Sequence, residues 1–180
     1  MADDTLSWKF RFIAIAAVLG VLGVIRLYTL EFGVFSNTIH AQMLVGLSIL
    51  IGLVISGGLF YAFRARFLPL ELHLPEFFSV LIFTIFLSPL LGSLLNRGLG
   101  RTEYHSFEFL TEKPYTSSTY GMMLHQRIQQ QGYLLEVRDQ GALRQFRYKS
   151  QAYYPLTKPG DPILLPMRVG IFGFRVLLLH

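Results

Sequence analysis

The sequence predicts a membrane α-helical protein, three transmembrane helices followed by a small C-terminal domain that is mostly β (α+β, barrel- or sandwich-like). Hydrophobic residues make up 52% of the 180-residue chain and charged residues only 15%, against about 25% charged in ordinary soluble proteins. The long apolar runs crowd into the first half, whereas a soluble leucine-rich core is interrupted by charge every few residues. From about Gly100 onwards, turn signals separate short runs rich in Tyr, Phe, Val and Leu, which is the pattern of successive strands. The division falls at residues 98 and 99: a membrane domain over 1–98 and an extramembrane β-rich domain over 99–180.

A span needs about 20 mainly apolar residues to cross about 30 Å of hydrocarbon. The first is expected from Phe10 to Leu30, with Arg26 near enough to its end to snorkel and Tyr28 beside it as an aromatic anchor. Ile39 to Phe63 is the second, closed by Arg64 and Arg66, and Phe77 to Asn96 is the third, followed by Arg97. A cleaved signal peptide is the competing reading of the first segment. Its Ala14-Ile15-Ala16 pattern precedes most of the apolar stretch instead of following it, which favours an uncleaved anchor.

Three spans put the N-terminus and the Arg64–Glu76 loop on one side, with Lys9, Arg11, Arg64 and Arg66; the other side holds Arg26, Arg97 and Arg101. The positive-inside rule then gives a cytoplasmic N-terminus and an exported C-terminal domain. The chain has no cysteine, which excludes disulfides and thiolate chemistry, and neither Asn37 nor Asn96 begins a glycosylation motif. Both features lean towards a bacterial inner membrane with a periplasmic domain.

Ala16 and Gly20, and Ser88 and Gly92, sit four residues apart, and Ser56-Gly57 adds more small surface. Such positions let helices approach closely, so they are read as helix packing rather than a pore. Acidic and basic side chains are missing from the middle of each expected span, as an ion pathway would not allow. Pro89 is expected to kink the third helix, with Ser88 satisfying the freed backbone. The Pro69–Pro75 loop alternates leucine with polar residues and reads as an extended segment lying on the membrane; Glu71, His73 and Glu76 make a poor metal set.

In the C-terminal part, strands are expected at Tyr104–Leu110, Tyr133–Val137, Leu143–Lys149, Ala152–Leu156, Ile163–Val169 and Phe174–Leu179. Asp139-Gln140-Gly141 reads as a hairpin turn and Pro159-Gly160 as another turn. The last strand is apolar on both faces and is expected to be central or docked on the membrane. Tyr120–Gln131 has helical spacing ending at Gly132, although a long strand through Met122–Ile128 is the alternative.

His105, His125, His180, Asp139 and Asp161 form no triad or metal spacing, so no catalytic residue, metal or cofactor is assigned. The best candidate is electrostatic: Arg138, Arg144, Arg147 and Lys149 with Tyr148, Tyr153 and Tyr154, a basic and aromatic surface for a headgroup or an acidic partner. The leading expectation is a non-enzymatic interaction protein, either an accessory subunit of a membrane complex or a toxin-immunity protein. Its expected partners are membrane lipid and a protein or a second copy of itself, not nucleic acid. An oligomeric transporter or channel component is the second reading, and an enzyme acting on lipid or cell-wall material the third.

Overall fold

The structure is a computed structural model that describes residues 8–66, 73–116, 130–149 and 151–179. Three helices lead: α1 (Trp8–Ser36), α2 (Ala41–Ala62) and α3 (Leu74–Gly98). All three are long and apolar enough to cross a membrane, with mean hydropathies of 2.2, 2.4 and 2.2. They span about 33 to 44 Å at 1.5 Å per residue. Each departs from the sequence expectation at its ends. α1 runs six residues past Leu30, because Glu31 finds polar partners on α3 and does not stop the helix. α3 opens at Leu74, with Pro75 in the first turn, where its missing N–H costs nothing. That end of the Pro69–Pro75 segment is therefore helical, and residues 67–72 lie outside the described ones.

α2 and α3 are antiparallel and pack along a line of small residues. Ser56 Oγ lies 2.6 Å from Thr84 Oγ1. One turn along, a Cβ on Gly52 would overlap Ser88 Oγ and come within 2.9 Å of Ser88 Cβ. A further turn along, a Cβ on Gly92 would fall 2.6 Å from Ser48 Cβ. Residues 48, 52 and 56 thus oppose 92, 88 and 84, each step close to one helical turn. α1 is the outlying helix, touching α3 only towards its C-terminal end.

Five antiparallel strands follow: β1 (Arg101–Thr116), β2 (Gln130–Asp139), β3 (Ala142–Tyr148), β4 (Pro162–Val169) and β5 (Arg175–Leu177), in the order β3-β2-β1-β4-β5. The first half of β1 pairs with β4 and the second half with β2, the exchange falling at Glu108. A register shift between Phe109 and Thr111 bends β1 there, and the sheet curls into a half-barrel. Phe107 and Phe109 are buried on the concave face, as their alternation with Ser106 and Glu108 predicts. The β2–β3 turn places Gln140 at φ 50° and Gly141 at φ 86°, the two positive values of a type I′ hairpin.

Two expected strands differ. Ala152–Leu156 is irregular: the Glu112 carboxylate accepts the N–H groups of Tyr153 (2.8 Å) and Tyr154 (3.0 Å), and Pro155 has no N–H to offer a ladder. The last strand is shorter than expected and lies at the end of the sheet, not in its centre. Its apolar residues are buried because another segment covers that edge. Of the expected Tyr120–Gln131 helix, Gln130 and Gln131 begin β2, and residues 120–129, with the alternative strand, lie outside the described residues.

The covering segment is the short α1–α2 linker. Asn37 C=O accepts the Leu177 N–H (3.1 Å), the Ile39 N–H donates to Arg175 C=O (2.8 Å), and Thr38 bridges Val176. On its other side, the Asn37 amide donates to Arg147 C=O and accepts the Arg147 N–H at 2.8 Å. The linker therefore fills the gap between β5 and β3, the two open edges of the half-barrel. Arg175 crosses the same gap to Asp139 (3.1 Å). Ile39, expected as the first residue of the second span, is instead 3% exposed in the β core with Phe107, Phe146 and Leu177. The chain reverses just after it at His40 (φ 62°), a left-handed conformation that histidine enters more readily than most side chains.

Candidate functional site

The region where the helix ends meet the barrel gathers most of the unusual chemistry. Asn96, near the end of α3, is wholly buried. Its amide donates to Phe174 C=O (3.1 Å) and its oxygen accepts the Phe172 N–H (3.1 Å), fixing the β4–β5 turn. Gly170 lies against it so closely that a Cβ there would collide with the Asn96 side chain. Arg168 adds a hydrogen bond to Gly98 C=O at 3.2 Å. The chain's only two asparagines thus each hold two main-chain groups of the sheet or its turns, one from each side of the junction.

Close by in α3 lies one half of an acid–base pair with α1. Glu31 is 3% exposed; it accepts hydrogen bonds from Ser93 Oγ and from Arg97, whose guanidinium is 3.1 Å away. A carboxylate this buried is tolerable only because a charge and a hydroxyl satisfy it. Together with the Tyr28 hydroxyl, which donates to Phe86 C=O, it is what holds α1 to α3.

Beside the linker is a cleft of about 460 Å³, lined by Ser36, Thr38, Ile39, Leu143, Arg144, Gln145 and Phe146. Arg144 approaches His40 Nε2 at 3.4 Å, while its own Nε is shielded from solvent without an acceptor. Among the described residues no carboxylate pairs with Arg144. Such a group can bind and orient an anionic moiety, while the Ser36 and Thr38 hydroxyls lining the cleft donate to the Gly33 and Val34 carbonyls.

The seven residues of the expected basic and aromatic surface are spread over four places. Arg147 is exposed on the convex face of β3 and Lys149 is exposed just past the strand's end, with Arg147 5.7 Å from the centre of the Tyr115 ring. Arg138 holds both Glu108 oxygens (3.0 and 3.1 Å), so its charge is largely matched. Arg144 lies on the opposite side of the strand, together with Tyr148, which is 3% exposed and stacked on Tyr133 at 5.9 Å. Tyr153 and Tyr154 belong to the irregular segment; Tyr154 packs on Phe109, and burial, with Glu112 nearby, raises its phenol above the ordinary value.

Of the residues expected to pack helices, Ser56, Ser88 and Gly92 lie in the α2–α3 seam. Ala16 is exposed, and Gly20 and Gly57 have open space where a Cβ would stand. Ser48 and Gly52 were missed, although Ser48, Gly52 and Ser56 repeat every four residues opposite Thr84, Ser88 and Gly92. Glu31 was missed because it lies one residue beyond the expected end of the first span. The signal was a lone acid in one apolar run and a lone Arg97 closing another that runs parallel to it.

The remaining candidates stay apart. His105 lies 3.6 Å from Glu103 and His73 3.9 Å from Glu76, while Asp161 accepts the Lys158 N–H. His125, His180 and Glu71 lie outside the described residues. Among the described residues no three His, Asp or Glu side chains gather where a metal would sit. No protein-family model, curated protein or solved structure matches the chain.

Proposed function

We propose that this chain is an integral protein of a bacterial inner membrane that acts without catalysis, holding its β domain at the periplasmic face for a protein partner. An accessory subunit of a larger membrane complex is the form we favour, with a toxin-immunity protein as the other. The N-terminus is then cytoplasmic. The lipid-facing residues of such a protein are apolar, and Val18, Leu22, Val54 and Phe83 are each more than half exposed here.

The observation that carries the reading is the junction. The linker closes the barrel, Asn37 and Asn96 peg it from two sides, and the domain has no flexible stalk. A domain so mounted keeps its convex face and the Arg144 cleft at one height and angle above the helices, which suits recognition of something equally fixed in the membrane plane. Arg147 on that face and Lys149 just past the strand's end are exposed and pair with no carboxylate among the described residues, which favours an acidic partner.

The test is purification of the tagged full chain in mild detergent, alongside the Arg147→Glu/Lys149→Glu variant. A stoichiometric second polypeptide that the variant loses supports the proposal. A clean homo-oligomer that conducts solute in proteoliposomes would overturn it in favour of transport.

A further inference from the structure

We infer that the outward face of α1 around Arg26 is the docking surface for a transmembrane helix of a different protein, one that brings a carboxylate to Arg26. This rests on the proposal that α1 spans a membrane. α1 faces its neighbours through Tyr28 and Glu31, with Val24 and Phe35 half-buried on the same side. Successive residues turn by about 100° at 3.6 residues per turn, so Arg26 points about 160° from Tyr28 and about 140° from Glu31. It is exposed, and among the described residues its guanidinium meets no carboxylate, hydrogen-bond acceptor or aromatic ring.

Depth makes this costly in lipid alone. α1 continues to Ser36, so Arg26 is not at its end. It sits five residues before Glu31, about 7.5 Å deeper into the apolar layer than the Glu31–Arg97 pair. Charged residues at such positions are rare and are normally paired. Gly23 and Gly33, one turn before and two turns after, have nothing within 4 Å of where a Cβ would stand, which leaves room for a second backbone beside the guanidinium.

A second copy of this chain does not fit. A twofold contact through this face would bring two Arg26 cations together. The acids of the three helices are Glu31, already held by Ser93 and Arg97, and Glu76, in the first turn of α3 at the opposite end. Within the three helices no acid is left for Arg26, so we assign its carboxylate to another polypeptide.

The test uses the labelled full chain in phosphatidylcholine vesicles with two synthetic leucine-rich spanning helices, one carrying a single Asp at the depth of Arg26 and one without it. Resistance to alkaline extraction is measured first: a chain that washes out refutes the membrane reading and this inference with it. For a chain that stays, energy transfer is expected to show the Asp helix binding about tenfold more tightly than the plain one. Arg26→Leu is expected to abolish that preference without loosening insertion, and Arg26→Lys to keep most of it. Equal binding of the two helices, as from an arginine that serves only headgroups, would overturn the inference, and so would a preference that survives Arg26→Leu.

Discussion

Replacing Asn96 with leucine keeps most of the side-chain volume and removes both hydrogen bonds to the β4–β5 turn, those with Phe172 N–H and Phe174 C=O. Each such bond contributes about 0.5–1.5 kcal/mol net, and a buried group left without a partner costs about 1–3 kcal/mol. Asn96 is wholly buried but its two partner residues are only half-buried, so water can reach part of the loss. The expected cost is about 2–3 kcal/mol, confined to the turn, or roughly a 30- to 150-fold increase in local opening at about 1.4 kcal/mol per tenfold. Hydrogen exchange read by mass spectrometry on the detergent-purified chain measures it directly. Peptides covering 167–177 are expected to lose protection, and those covering β2 and β3 to keep it. Unchanged exchange at the turn, or an equal rise across the whole sheet, would refute the role given to Asn96. Asn96→Asp sharpens the test. At neutral pH its carboxylate faces the Phe174 carbonyl without a proton to donate; on acidification the protonated acid regains the donor. Relative to the native chain, protection should therefore recover as pH falls.

Gly52→Leu and Gly92→Val should each weaken the α2–α3 seam by roughly 1–3 kcal/mol through overpacking. Gly20→Leu and Gly57→Leu, with open space around them, should stay within about 0.5 kcal/mol of the native chain in thermal denaturation in detergent. Glu31→Ala should cost roughly 2–3 kcal/mol, less than the full loss of a buried pair because the Arg97 side chain is 35% exposed. The exchanged pair Glu31→Arg/Arg97→Glu should recover part of that cost, read by cysteine crosslinking between α1 and α3. Because the folded state raises the Tyr154 phenol above its ordinary value of 10.0, its contribution is intact below that pH and is lost as pH rises past it. Tyr154→Phe should flatten the fall in melting temperature as pH rises past the ordinary phenol value of 10.0. Gln140→Asn, which enters the left-handed region more easily, should stabilise the hairpin by a few tenths of a kcal/mol in the same assay.

The three helices were legible because a predominantly apolar run of about 20 residues, even one holding Arg26, can satisfy its backbone in lipid as a helix. The Gln140-Gly141 hairpin was legible because Asp139 and Gly141 are turn formers, and Gly141 takes positive φ freely between alternating strands. What local pattern could not show was where apolar residues go when two environments both accept them. Ile39 is as suitable for lipid as for the barrel core, and only the long-range pairing of the linker with β5 decides between them. Glu112 likewise turned an apparent strand into a loop by taking two N–H groups from about forty residues away. The basic surface was read from proximity in sequence, but alternation along β3 sends Arg144 and Tyr148 to one side and Arg147 to the other, and the strand ends before Lys149. The asparagines drew notice only for lacking a glycosylation motif, since nothing in their neighbourhoods announces a partner residue about 75 to 110 positions distant.

The linker's place in the sheet also sets an order of events during synthesis. Asn37–Ile39 emerges early, while β3 and β5, the edges it joins, are made much later. Until β5 arrives, the barrel stays incomplete: the linker has only the β3 edge to join, and its other side is bare. A fragment beginning at residue 99 would keep that defect permanently and is expected to associate edge to edge, whereas a short peptide bearing residues 36–40, supplied separately, should cap it and restore a monomer.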